Sequence, residues 1–299
     1  MAAILLGVLG LVLAGPGPLW VDRWRFLFRV PRAAVVLWQA GAVAALVSVV
    51  GAGLVVAVPA LGRWQEVDTL PVGELGRYAV VLLFTAVVVL RLIWSLVAVA
   101  RNTGVRRRRH RDAVDLLARP TGALTSPGLR VLAEQLPVAY CLPALRGSRV
   151  VLSEGTLALL GPQELRAVVE HESAHVRARH DLVLDTFQAL HRAFPIAVRS
   201  EIPALQCRLL VEMLADDAAR RVTGPLPLAR ALVTLAGAPN PDWALGVAGA
   251  GVVDRVSRLA DEPRPHRSLA AAVYLLAGGL VALPLLVLAV PVLAPGHAG

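Results

Sequence analysis

The stretch RAVVEHESAHVRARHD, residues 166–181, places two histidines four residues apart, with a glutamate directly after the first. On an α-helix, residues four apart share a face, so His171 and His175 can hold one tetrahedral Zn²⁺ between them. Glu172 lies one step around the helix, where it can act as general base toward water activated by the metal. The stretch therefore predicts the zinc site of an enzyme that cleaves peptide bonds.

A second acidic pair completes this pattern further along the chain. Catalytic zinc sites have three protein ligands and one open position, so the two histidines need a partner. The stretch VEMLADDAARR is helical in pattern and carries Glu212 and Asp216 one turn apart. We expect Glu212 to be the third ligand. We expect Asp216 to accept the outer N–H of a zinc-bound histidine and so to fix its tautomer.

His180 is the alternative third ligand. It lies five residues after His175, and no glycine stands between them to bend the chain as the metzincin pattern requires. We therefore expect His180 outside the ligand set, in a supporting or interfacial position with Asp181. His110 and His191 are expected to be surface or membrane-edge residues. Three candidates for stabilising the oxyanion stay open, namely Arg220, His180 and Tyr140.

Composition places much of the chain in a membrane. The 299 residues are 57% hydrophobic and only 17% charged, whereas soluble domains carry about 25% charged residues. Four apolar runs are each long enough to cross a bilayer core, which needs about 20 helical residues. The first could instead be a signal peptide, but it lacks a basic segment before its apolar run. The predicted spans are residues 2–20, 33–62, 78–100 and 268–295.

Arginine supplies every basic side chain apart from histidine, and its distribution orients these spans. Arginine clusters follow the first and third spans and precede the fourth, so by the positive-inside rule both termini lie outside the cell membrane and residues 101–267 lie in the cytoplasm. The run RRRRHR directly follows the third span, where it fits contact with anionic lipid of the bilayer. No direct nucleic-acid binding is expected. Arg91, inside the third span, either faces the helix bundle or snorkels to the interface.

Residues 112–267 are the only stretch able to form a water-soluble domain. Two short runs, near 137–142 and 149–153, predict a hairpin ahead of the helices that carry the site. The predicted fold is a mostly α integral membrane protein with four transmembrane helices and a cytoplasmic α+β metallopeptidase domain. The predicted regions are 1–111 with three spans, 112–267 as the zinc metallopeptidase domain, and 268–299 as the fourth span with a short external tail.

The stretches ELRAVVEHESAHVRARHD, VEMLADDAARR and VVDRVSRLADEP, with three spans upstream and one downstream, resemble the BlaR/MecR-type membrane metallopeptidases. The stretch CLPALRGSRVVLSEG resembles the strand region that those proteins place before the active helix. The resemblance covers nearly the whole chain and implies a bacterial plasma-membrane protein with a gluzincin-type minidomain. It implies one Zn²⁺ held by His171, His175 and Glu212, with Glu172 as catalyst and Asp216 as supporting carboxylate.

The penicillin-sensing members of that family continue after their last span into an extracellular β-lactam-binding domain, whereas this sequence runs only a few residues further. The resemblance therefore implies a short member without the sensor. Such a member would be a zinc-dependent endopeptidase whose substrate is a cytoplasmic protein or peptide, for example a winged-helix repressor of the BlaI/MecI type. Two alternatives stay open. One is an HtpX-like protease of membrane-protein quality control, and the other is a non-catalytic zinc-bound signalling adaptor, which the intact Glu172 disfavours.

Overall fold

A computed structural model of the chain describes residues 1–62, 71–120, 128–144, 147–194, 200–238, 251–261 and 266–293. Residues 63–70 in the loop between the second and third predicted spans, Arg264 just before the fourth predicted span, and the predicted external tail lie outside the described residues. Contacts between residues divide the chain into two units, and each is described by itself. Unit 1 comprises Met1–Ala98, Phe187–Ala204 and His266–Gly299, and unit 2 comprises Val99–Thr186 and Leu205–Pro265.

Unit 1 consists of apolar helices. Its elements are α1 (Ala2–Ala14), α2 (Pro16–Asp22), a short 3₁₀ helix (Arg25–Arg29), α3 (Pro31–Gly62), the first part of α4 (Val72–Leu117) and α11 (Arg267–Leu293). Helices α1 and α11 pack against α3. Within the described residues, three helical stretches are long and apolar enough to cross a membrane, namely Pro31–Ala57, Gly73–Leu117 and Arg267–Ala289.

The first predicted span is broken. Helices α1 and α2 meet at Gly15 with a bend of 46°. Pro16 stands at the first position of α2, where its missing N–H and fixed φ suit the start of a new helix. In the part of the chain that the structure describes, the candidate spans therefore number three, or four if the bent pair crosses as one.

Arg91, the charge inside the third predicted span, contacts the end of helix α7 (His180–Ala193). Its Nε–H donates to the carbonyl oxygen of Ala193 at 3.0 Å. One turn further along α4, the Ser95 hydroxyl donates to the carbonyl oxygen of Ala189 at 2.7 Å. Carbonyls at a helix C-terminus have no partner within their own helix, so Arg91 supplies one. Of the two expectations for Arg91, contact with a neighbouring helix is the one observed.

Unit 2 contains a four-stranded sheet with the order β1-β2-β4-β3. Its strands are β1 (Arg119–Pro120), β2 (Leu129–Leu132), β3 (Ala139–Leu142) and β4 (Arg149–Ser153). Strands β3 and β4 are antiparallel, with Cys141 opposite Val150, which confirms the predicted hairpin. Strand β2 runs parallel to β4. This order leaves β3 at one edge of the sheet.

Helices pack around this sheet. They are α5 (Glu154–Leu159), α6 (Pro162–Ala178), α8 (Ile202–Thr223), α9 (Pro225–Gly237) and α10 (Val252–Ala260), together with the beginning of α7. The core joins Leu152 of β4, Val168 of α6 and Leu232 of α9, all of which are buried. The apolar stripe of α6 thus faces the sheet and α9, and this packing fixes the helix that carries both histidines of the HExxH motif.

The ends of α6 follow from local chemistry. Pro162 occupies the first turn, and the Glu164 carboxylate accepts a hydrogen bond from the Gly161 N–H at 2.9 Å, which caps the helix start. The helix ends at Arg179, which adopts a left-handed conformation with φ of 52°. Such a conformation is costly for a residue with a side chain, yet it turns the chain directly into α7 at His180. Arg179 therefore separates α6 from α7.

Candidate metal centre

Helices α6 and α8 bring together three side chains of unit 2 that could hold a metal ion. One donor atom from each of His171, His175 and Glu212 lies within 4.8 Å of the other two. The two histidine Nε2 atoms are 3.2 Å apart. The Glu212 carboxylate oxygens lie 3.3 Å from Nε2 of His171 and 3.4 Å from Nε2 of His175. The three residues expected as ligands thus face one point.

The chemistry of this donor set fits Zn²⁺. Two neutral imidazoles and one carboxylate are among the ligands that catalytic zinc uses, with a fourth position left open. Nε2 of His171, Nε2 of His175 and the Glu212 carboxylate lie 3.2–3.4 Å from one another, so all three direct a possible ligand atom toward one point. A divalent cation between them satisfies all three at once.

Asp216 supports His171 from the other side of its ring. The Asp216 Oδ1 atom lies 2.9 Å from Nδ1 of His171, and both side chains are buried. Burial alone would lower the pKa of His171, but hydrogen bonds and charges from Asp216 and Glu212 outweigh it and raise the pKa to about 9. This contact turns Nε2 of His171 toward Glu212. Asp216 therefore has the position expected of a carboxylate that orients a zinc-binding histidine.

A buried arginine on α10 joins both carboxylates of α8. The Nε and Nη2 groups of Arg255 each donate to an Asp216 oxygen at 2.7 Å, and its Nη1 lies 3.1 Å from Oε2 of Glu212. The side chain is fully buried. Burial alone would lower the pKa of Arg255, but its contacts with Asp216 and the charges of Glu212 and Glu172 raise it. In turn, burial would raise the pKa of Asp216, but Arg255 and His171 lower it.

No role for Arg255 follows from helical periodicity or motif spacing. The sequence indicates such a residue only indirectly, because two buried carboxylates on one helix face need a cation as well as a histidine.

The second contact between α10 and α8 is a two-bond pair between Arg258 and Asp217, at 2.6 and 2.7 Å. Gly251 opens α10 with φ of +57°, and a Cβ there would lie 2.5 Å from the Leu209 side chain. These features fix α10 on α8 and hold Arg255 in the site.

Glu172, the expected general base, is nearly buried at 3% exposure. Its carboxylate lies beside the thiol of Cys141 on the edge strand β3. Burial first, and then the charge and hydrogen bonding of Glu172, raise the pKa of that thiol. Cys141 is therefore a neutral thiol at physiological pH and unsuited to act as a nucleophile. Glu172 therefore lies near the edge strand β3.

His180 stands behind His175. Their Nδ1 atoms are 3.0 Å apart, and the two rings meet edge to face. Burial and the neighbouring His175 lower the pKa of His180 to about 4, so its imidazole is neutral. With Nε2 of His175 directed at the metal-binding group, its Nδ1–H can donate to His180. Asp181 pairs instead with Arg107 at 3.0 Å. His180 thus lies behind the His175 ring, as Asp216 lies behind that of His171.

The remaining candidates are engaged elsewhere. The Tyr140 hydroxyl forms a hydrogen bond of 2.8 Å with His110. Arg220 donates to the carbonyl oxygen of Asp261 at 3.3 Å. His191 belongs to unit 1, where its Nε2 lies 3.8 Å from a carboxylate oxygen of Glu201. None of these contacts directs Tyr140 or Arg220 toward the group of His171, His175 and Glu212.

The contact between His180 and His175 leads to a first prediction. His180→Ala is expected to lower the affinity for zinc about 10–100-fold, because outer partners of metal-bound histidines contribute this much. His180→Asn, which keeps a hydrogen-bond acceptor, should lose less. Competition with a fluorescent zinc chelator measures both affinities. An unchanged affinity in His180→Ala would exclude a supporting role.

Residues 100–209 match peptidase family M48. The matched stretch contains the HExxH motif and ends shortly before Glu212. Together with the apolar helices of unit 1, the match indicates a membrane-associated metallopeptidase. Searches of curated proteins and of solved structures find no match to this chain. The narrower BlaR/MecR-type resemblance stays a prediction.

Proposed function

We propose that this chain is a membrane-anchored zinc endopeptidase of the gluzincin type, which cleaves a cytoplasmic protein. The observation that carries the proposal is the convergence of His171, His175 and Glu212 beside the buried Glu172. The match of residues 100–209 to peptidase family M48 supports the same reaction class independently of this geometry. One zinc ion per chain is the cofactor that this proposal requires.

The chain's own residues have distinct tasks in this proposal. His171, His175 and Glu212 would hold the metal, which supplies Lewis-acid activation of water and of the scissile carbonyl. Glu172 would take a proton from the attacking water and then give it to the leaving amine nitrogen. One water molecule is consumed, a C–O bond forms and the peptide C–N bond breaks.

The surrounding residues orient the proposed ligands and balance their charge. Asp216 and His180 each hold one histidine ring, so that both Nε2 atoms face Glu212. Arg255 neutralises part of the negative charge that Glu212 and Asp216 bring into a buried site. Without that cation, two carboxylates would share an apolar environment at high cost. The proposal therefore assigns Arg255 to positioning and not to the chemical step.

The edge strand β3 offers a place for the substrate backbone. In the described residues it pairs only with β4, so its other edge remains available for an extended peptide. Added strands of this kind bind through main-chain hydrogen bonds and use side-chain pockets for selectivity. Because Cys141 of β3 lies near Glu172, a peptide bound along this edge would pass close to the proposed general base. This geometry supports an endopeptidase that acts on an extended segment.

The substrate is proposed from the BlaR/MecR-type resemblance, which favours a winged-helix repressor in a regulatory pathway. The test is N-terminal peptide profiling of cells that carry wild type or Glu172→Gln. We expect one new N-terminus, within a cytoplasmic regulator, that is present only with the wild type. Many fragments of membrane proteins would instead support quality control. Identical profiles in the two strains would contradict a peptidase and favour the zinc-bound adaptor.

A further inference from the structure

Unit 1 contains a large, partly open apolar cavity of about 1240 Å³. Its walls come from α1, α3, α4 and α11 and from the segment that contains the end of α7. Leu11, Trp38, Phe84, Phe187 and Leu280 are typical of the lining. Small-molecule sites in proteins usually measure about 300–1,000 Å³. The volume is therefore ample for a long hydrocarbon chain.

The same cavity has a cationic side chain in its wall. Arg91 lines it and remains exposed, although it lies in the middle of a predicted span. One of its N–H groups donates to the Ala193 carbonyl oxygen. A guanidinium carries five N–H donors, and in the described part of the chain no carboxylate pairs with Arg91. Most N–H donors of Arg91 thus have no partner among the described residues, and no described carboxylate neutralises its charge.

A second polar group at the cavity also lacks a partner. His191 lines the cavity, and its Nδ1 atom is buried without a hydrogen-bond partner among the described residues. His191 and Ala193 lie two residues apart on α7, so Arg91 and His191 approach the same helix end. An unpaired polar atom in an apolar cavity is unfavourable unless a ligand or water satisfies it. Both groups point to an occupant with a polar end.

We propose that this cavity binds a single acyl chain ending in one anionic group, which Arg91 receives. The apolar walls fit the hydrocarbon, and the unpaired charge of Arg91 selects an anionic over a neutral headgroup. Arg91 precedes Arg101 by ten residues on one helix, or about 15 Å, half of the bilayer's hydrocarbon thickness of about 30 Å. At this depth the anion has to enter with its chain, because the headgroup layer lies too far away. The carboxylate of a fatty acid and the phosphate of a lysophospholipid share this chemistry.

Native mass spectrometry of the full chain in detergent tests the proposal with three probes, namely oleate, oleoyl lysophosphatidic acid and oleyl alcohol. The wild type is expected to retain one equivalent of an anionic probe and to bind the neutral alcohol at least ten times more weakly. The stronger of the two anionic probes identifies the headgroup. Arg91→Leu should lose this preference, and Arg91→Lys should keep much of it. Arg192→Leu is the matched control, because Arg192 is an exposed arginine of α7, the helix that Arg91 contacts, and does not line the cavity.

A cavity-filling variant keeps the test decisive if Arg91→Leu fails to fold. Gly41 lines the cavity on α3, and a Cβ built there meets no atom within 4 Å. Gly41→Leu should therefore fold and lower oleate binding at least tenfold. Unchanged oleate binding in Gly41→Leu, or equal binding of oleate and oleyl alcohol by wild type, would overturn the proposal. Recovery of a bound peptide in place of lipid would also overturn it.

Discussion

Peptide hydrolysis by a Glu172→Gln variant is expected to fall about 10²–10⁴-fold, because a positioned general base contributes this much to the rate. Glutamine has nearly the same shape as glutamate but cannot accept a proton from water. Glu172 is not among the three residues whose donor atoms converge, so the variant should keep its zinc. Initial rates on a quenched fluorescent peptide, with the zinc content of the same sample, measure both quantities.

Glu170→Gln serves as the matched control for this experiment. Glu170 lies on the same helix two residues earlier and makes only a long contact of 3.5 Å with Arg177. Its replacement should leave the rate within about twofold of wild type, as surface substitutions usually have small effects. Full hydrolysis by Glu172→Gln would reject Glu172 as the base. Loss of zinc by that variant would show that Glu172 acts as a ligand.

Replacing Arg255 by methionine is expected to lower the free energy of unfolding by about 3–5 kcal/mol, the usual cost of removing one partner from a buried ion pair. Methionine keeps much of the side-chain length but leaves Asp216 and Glu212 without their cation. Because Asp216 orients His171, the affinity for zinc should fall as well. Urea titration in detergent, followed by tryptophan fluorescence, measures the stability.

Two further variants separate this effect from general damage. Arg258 lies on α10 like Arg255, and Arg258→Met removes its partly exposed pair with Asp217 of α8, which should cost only about 1 kcal/mol or less. The double variant Arg255→Met with Asp216→Asn removes both charges and should be more stable than Arg255→Met alone. Arg255→Met unfolding at the urea concentration of wild type would contradict the assigned role. Equal stability of the single and double variants would do so too.

The part of the candidate site that depends on helical spacing can be predicted from the sequence. His171 and His175 share a helix face because their spacing matches one turn, and Glu212 and Asp216 repeat that spacing on a second helix. The structure places all four within one cluster. Spacing suffices here because a helix fixes which residues are neighbours.

The other half depends on contacts that no periodicity encodes. At the turn between α6 and α7 the left-handed backbone conformation is adopted by Arg179 and not by a glycine. The sequence therefore contains no glycine that would mark this turn. It is this turn that brings His180 to His175. Arg255 reaches the site from a helix about forty residues after Glu212, through tertiary packing alone. Cys141 lies near Glu172 only because α6 packs against the edge strand β3.

The predictions for the membrane region also succeed where local pattern decides the structure and fail where tertiary contacts decide it. The apolar runs form helices, but the bend at Gly15 interrupts the first, and hydropathy alone does not report it. Residues Phe187–Ala204 share contacts with the apolar helices of unit 1, although they follow the HExxH helix closely in the chain. Apolar side chains such as Phe187 and Phe194 that line the cavity provide the physical reason. The predicted domain limits and the orientation across the membrane stay predictions.

The zinc content of purified wild type and Glu212→Ala tests the central claim most directly. Wild type should hold about one zinc per chain, and Glu212→Ala should hold almost none after dialysis against a weak chelator, since three protein ligands are needed. Glu170→Ala is the control and should match wild type. A full equivalent of zinc in Glu212→Ala, or none in wild type, would contradict the three-residue site.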